Sequence, residues 1–138
     1  MPTRLRVEKA AEELEKAVRI SPEFADAYTN LAVQHIRMRR FQEAAGELAR
    51  AIEIAGPDPL KLSNLAYAQI NLSRVQESTA AVRAALRLDA GYPPAHLILG
   101  SILAADPRTR AEAIPHLEQA AESIPAARVM LEKLQAAR

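Results

Sequence analysis

Apolar positions recur along this chain with the spacing of helices, and the helices recur with the spacing of a repeat. Within Asp26–Arg39 apolar residues fall at 28, 31, 32 and 36, one face of a helix. Within Phe41–Ile54 they fall at 41, 44, 45, 48, 51 and 52. A shift of 34 residues lays Tyr28 on Leu62 and His96, Leu31 on Leu65 and Leu99, and Ala32 on Ala66 and Gly100. The second half of the period keeps Ala10, Ala44, Ser78 and Ala113 in one column. Leu14, Leu48, Val82 and Leu117 form the next, and Ala17, Ala51, Ala85 and Ala120 a third. The last step in these columns is 35, so one residue is inserted near Asp106-Pro107.

This pattern predicts an all-α chain of antiparallel helix pairs, about seven helices in one continuous domain. Residues 1–24 form a leading half-unit, in which Leu5–Ile20 matches a second helix only. Three units follow over 25–58, 59–92 and 93–125, and 126–138 forms a closing helix. The later units predict helices over Leu60–Asn71, Val75–Leu88, Pro94–Ala105 and Arg110–Ser123. Turns are expected at Ser21-Pro22, at Ala55-Gly56-Pro57-Asp58, over 89–93 and at Ile124-Pro125, where proline suits the first turn of the next helix. Ser73 to Gln76 and Thr109 to Glu112 have the form of capping boxes. Gly100 sits in a helix interior, where glycine costs roughly 1 kcal/mol relative to alanine. It is therefore expected where two helices pack too tightly for a methyl group.

Composition supports helix: 29 Ala and 16 Leu occupy about a third of the 138 residues, aromatics are 4%, and Trp is absent. Eighteen Lys and Arg against 17 Asp and Glu leave a charge of +1, which gives no footing for a nucleic-acid partner. With no cysteine, disulfides, thiolate metal sites and a Cys nucleophile are excluded. No apolar run approaches the roughly 20 residues of a membrane span. The chain as given is thus expected to be soluble, with the cytoplasm favoured and the compartment left open.

Chemistry is sparse. His35, His96 and His116 share no metal-binding spacing. His96 fills the aromatic column and reads as packing; His35 and His116 read as half-exposed helix residues. Glycines are scattered, and Ser63, Ser73, Ser78 and Ser101 have no partner constellation in the sequence. The expectation is no catalytic residue, no metal and no cofactor, hence not an enzyme. Arg37, Arg39 and Arg40 close a helix, where cations suit the dipole. They read as a solvated helix end rather than an anion site.

Tyr28, Leu31-Ala32, Phe41, Ala44, Leu48 and Ala51, with their counterparts in the later units, resemble the tetratricopeptide repeat (TPR). The resemblance covers nearly the whole chain; Leu62 and His96 depart from it by replacing the aromatic. It implies a right-handed superhelical solenoid whose first helices line a concave, peptide-holding groove. The groove positions it implies are Asp26, Thr29, Asn30, Val33, Ile36 and Arg37, then Leu60, Ser63, Asn64, Tyr67, Ile70 and Asn71, then Pro94, Leu97, Ile98 and Ser101. A carboxylate clamp for chaperone C-termini is rejected, because Thr29, Val33, Pro94 and Ile98 stand where such clamps carry other side chains, among them every cation. Asn30 and Asn64 are candidates to hold the backbone of an extended peptide, against the favoured reading that Asn is simply common in this column of the family. The implied function is a non-catalytic module that binds another protein or peptide, within a larger protein or assembly. The alternative is a self-associating scaffold, a homodimer formed through the N-terminal stripe Val7, Ala10, Ala11 and Leu14.

Overall fold

The structure, a computed structural model, describes residues 3–20 and 24–137. Among the described residues there are eight helices and no strand: about seven were expected, and each segment placed from the sequence forms one. They are α1 (Thr3–Ile20), α2 (Ala25–Arg37), α3 (Phe41–Ala55), α4 (Pro59–Asn71), α5 (Val75–Leu88), α6 (Pro93–Ala105), α7 (Arg110–Ala121) and α8 (Pro125–Ala136). The turn expected at Ser21-Pro22 lies outside the described residues.

Local chemistry sets the ends. Gly56 closes α3 at φ 84°, a conformation that costs glycine nothing. Asp58 then caps α4, its carboxylate accepting from the Lys61 amide at 2.8 Å and from Lys61 Nζ at 2.6 Å. Pro59, Pro93 and Pro125 begin α4, α6 and α8, where the missing N–H would be unpaired in any case. The turns inside the first two pairs are tightened by Arg39 and Ser73, at φ 60° and 62°. The capping boxes do not form. Arg74, not Ser73, occupies the cap position of α5, because the left-handed Ser73 already belongs to the turn. Thr109 turns its hydroxyl back to the carbonyl of Leu103, at 2.8 Å.

Each helix packs on the next in sequence, with the pairs α2–α3, α4–α5 and α6–α7 in most intimate contact. Helix α4 also touches α2 and α6. The odd-numbered helices are not comparably close to one another among the described residues. The stack therefore has an inner layer of α2, α4 and α6, which α8 joins through the contact of Met130 with Ser101, and an outer layer of odd-numbered helices.

Leu48, Val82, Leu99 and Leu117 are fully buried, each contributing roughly 1.5–3 kcal/mol of apolar burial. Between them the helices approach across Ala32, Ala44, Ala51, Ala66, Ala85, Ala113 and Ala120, all buried. Ser78 takes an alanine position by giving its hydroxyl to the Ala66 carbonyl, at 2.8 Å. Among the described residues no helix is long and apolar enough to cross a membrane.

Candidate functional site: a recess on the inner layer

The inner layer exposes a recess of about 250 Å³. Tyr67 and Ile70 of α4 form one wall, Leu97, Ile98 and Ser101 of α6 the floor, and Ala126 and Met130 of α8 the far wall. Its surface is apolar. The one aliphatic hydroxyl, on Ser101, donates to the Leu97 carbonyl at 2.8 Å and lies 3.4 Å from Met130 Sδ. Tyr67 is 41% exposed and meets the edge of the Phe41 ring at 6.0 Å, so a buried aromatic sets its position. Leu60, two turns before Tyr67 on the same face of α4, is 52% exposed.

The titratable groups lie elsewhere. His35 is buried between three helices, its Nδ1 2.7 Å from Glu47 of α3 and its Nε2 3.3 Å from Glu15 of α1. It is not the half-exposed residue that its position in the sequence suggests. Burial raises the Glu47 carboxyl, although His35 opposes the shift. His96 and His116 join ring to ring. His96 Nε2 donates to the Ala90 carbonyl at 2.7 Å, so its neutral ring accepts at Nδ1 from His116 Nδ1–H, 2.9 Å away. Burial lowers the His116 imidazole, helped by His96 and Arg83 and opposed by Glu112. Both nitrogens of the contact are used by this bond. Among the described residues no three His, Asp or Glu side chains converge on a metal position.

No family model matches the sequence, and no curated protein matches it. Solved structures do match. The crystal structure of MamA superposes with a TM-score of 0.79 at 15% identity, over 99% of this chain and 85% of that one. TTC0263, a TPR protein of Thermus thermophilus, gives 0.78 at 18% identity, over 94% and 73%. YrrB, described as a TPR protein with an unusual peptide-binding site, gives 0.72 at 18%, over 95% and 69%. The fold is that of a TPR solenoid.

On this TPR framework the residues expected in the groove separate into groups. Tyr67, Ile70, Leu97, Ile98 and Ser101 meet in the recess. Asp26, Asn30 and Arg37 of α2 are exposed and Val33 and Ile36 half-buried, outside the recess. Asn64 is half-buried, and exposed Asn71 spends its amide on the Tyr67 carbonyl of its own helix at 2.9 Å. Two positions need correction. Thr29 is buried and donates to the Ala25 carbonyl at 3.0 Å. Ser63 is also buried, its hydroxyl without a partner among the described residues. Neither side chain is presented to a ligand. The N-terminal stripe is also narrower than expected: Val7 and Ala11 are buried, and only Ala10 and Leu14 remain half-buried.

Ala126 and Met130 were not among the expected groove residues. Carrying the 35-residue step into α8 hides them. Laying Pro125 on Pro93, the residues that begin α8 and α6, puts Met130 in the Ile98 column and Ala127 on the equally buried Ala95.

Proposed function

We propose that this TPR chain is a non-catalytic interaction module that holds an apolar side chain of a partner protein in the recess between α4, α6 and α8. The observation that carries the reading is the recess itself. Three successive inner helices contribute an apolar lining, and its one titratable group is the Tyr67 phenol. Such a lining suits the anchoring of a side chain better than chemistry. Burying one Leu, Met or Phe there contributes about 1.5–3 kcal/mol, roughly ten- to a hundredfold in affinity. Exposed Leu60 and Tyr67 extend the contact along α4. YrrB, which shares the fold, is described by its peptide-binding site. Pairing of two copies through α1 is the weaker reading, because Val7 and Ala11 are already buried within the chain.

Selection of peptides on the intact chain tests the proposal. Enriched peptides should share a bulky apolar residue. Tyr67→Ala combined with Met130→Ala should weaken them by about tenfold or more with an unchanged circular-dichroism spectrum. Unaltered affinity in that double variant would remove the recess from the account.

A further inference from the structure

Six of the 18 Lys and Arg fall in two short stretches, 3–9 and 37–43. Arg4, Arg6, Lys9, Arg37, Arg39 and Arg40 stand there against Glu8 and Glu43 alone. These six cations and two carboxylates make +4 on a chain whose total is +1, so the remainder is net acidic. The fold brings the two stretches together. Thr3, Arg4 and Val7 of α1 and Arg37, Met38 and Arg39 from the end of α2 and its turn line one cleft of about 620 Å³. Val7 is buried and Met38 half-buried, an apolar base beneath three exposed arginines.

A role in helix termination does not explain the cluster. The last carbonyls of α2 are already capped by backbone: Met38, Arg39 and Arg40 donate to Gln34, Ile36 and His35 at 3.0, 2.9 and 2.7 Å. Arg4 belongs to another helix and lies in its first turn, where the dipole disfavours a cation. Arg4 pairs with Glu8 at 3.1 Å, and Arg40 pairs with Glu43. Arg37 and Arg39 make no ion pair among the described residues, and the Arg39 guanidinium lies 5.3 Å over the Phe41 ring.

We propose that this cleft binds an acidic segment of a partner protein. An aliphatic residue of the segment packs on Val7 and Met38, and its carboxylates meet Arg4, Arg37 and Arg39. Charge selects the occupant: the guanidiniums offer charge-assisted, bidentate bonds that a carboxylate fits. The cleft shares no residue with the inner recess, so this contact stands apart from the apolar anchor proposed above.

Fluorescence anisotropy on the intact chain tests it, with the labelled peptide Glu-Leu-Glu-Glu-Leu-Glu and its counterpart carrying Gln for every Glu. The Gln peptide should bind at least about fivefold more weakly. Raising salt from about 50 to 300 mM should weaken the Glu peptide by at least a similar factor. Arg4→Gln with Arg39→Asn should do the same, asparagine being chosen because it accepts the left-handed turn. Circular dichroism should be unchanged in that variant, and Tyr67→Ala with Met130→Ala should leave the affinity as it was. Absence of binding at about 1 mM overturns the proposal, as does any of the three ratios falling short. So does loss of binding in the recess variant. Equal competition by inorganic phosphate, or a two-chain mass in light scattering that Arg4→Gln abolishes, assigns the cleft to a small anion or a second copy and equally overturns it.

Discussion

A methyl group on Gly100 would lie 2.7 Å from Cδ2 and 2.8 Å from Cγ of Leu117. Leu117 is fully buried in α7, so that methyl group would force a shift in packed core. Gly100→Ala should therefore destabilise the chain by about 1–3 kcal/mol, although alanine is the better helix former. Leu117→Ala alone should cost about 2–5 kcal/mol. The double variant should be more stable than the sum of the two losses, since each change relieves the other. Urea unfolding of the four proteins measures this, and additive losses would deny the contact.

Burial of His116 gives the chain a pH dependence on the acid side. The His116 imidazole is held below its ordinary value of about 6.5 by burial and by its neighbours. The unfolded chain therefore takes up this proton first as pH falls. The contribution is complete above about 6.5 and declines as pH drops toward the folded value. Urea midpoints at about pH 7.5 and 5 should differ more in the parent than in His116→Gln. An equal difference in both would assign the loss to other groups.

His35 ties α1 to α2 and α3 through both ring nitrogens. Each ring nitrogen faces one carboxylate, so the ring joins three helices at one point. Glu47 is the more sheltered partner, its side chain 15% exposed against 39% for Glu15. His35→Ala should cost about 2–3 kcal/mol by leaving a sheltered carboxylate without its donor. Glu15→Gln should cost less than about 1 kcal/mol. Hydrogen exchange along α1 should quicken strongly in the first variant and slightly in the second.

Asp58 is worth about 1 kcal/mol as the cap of α4, a loss to be read from thermal unfolding of Asp58→Ala. Burial pushes its carboxyl up, but the Lys61 ammonium and amide more than offset this and hold it below the usual range. A lowered carboxyl contributes above its unfolded value and is lost as pH falls through the folded one. The parent and Asp58→Ala should thus converge in stability under strongly acidic conditions and separate as pH rises toward neutrality.

What recurs in the sequence was legible, and what occurs once was not. The columns around Leu48, Val82 and Leu117 located the core because each unit repeats the same packing. Gly100 stood out against Ala32 and Ala66 for the same reason. Tyr67, Ile70 and Leu97 followed from the TPR resemblance. His35 shows the limit: its partners Glu15 and Glu47 lie 20 and 12 residues away, and no column repeats the arrangement. His96 and His116, also 20 apart, were likewise hidden. Ser73 failed as a cap because its left-handed backbone is a property of the turn, invisible to a four-residue motif. The arginine cleft needed α1 to bring Arg4 beside Arg37 and Arg39, residues more than thirty positions away.

Methyl NMR tests the central claim, that the inner recess holds a partner's apolar side chain, most directly. With the Ile, Leu and Met methyls labelled, a selected peptide should be titrated into the intact chain. The methyls of Ile70, Leu97, Ile98 and Met130 should shift together and saturate at one peptide per chain, while buried Leu48 stays in place. Shifts confined to the outer helices α3, α5 and α7, with those four methyls unmoved, would contradict the account.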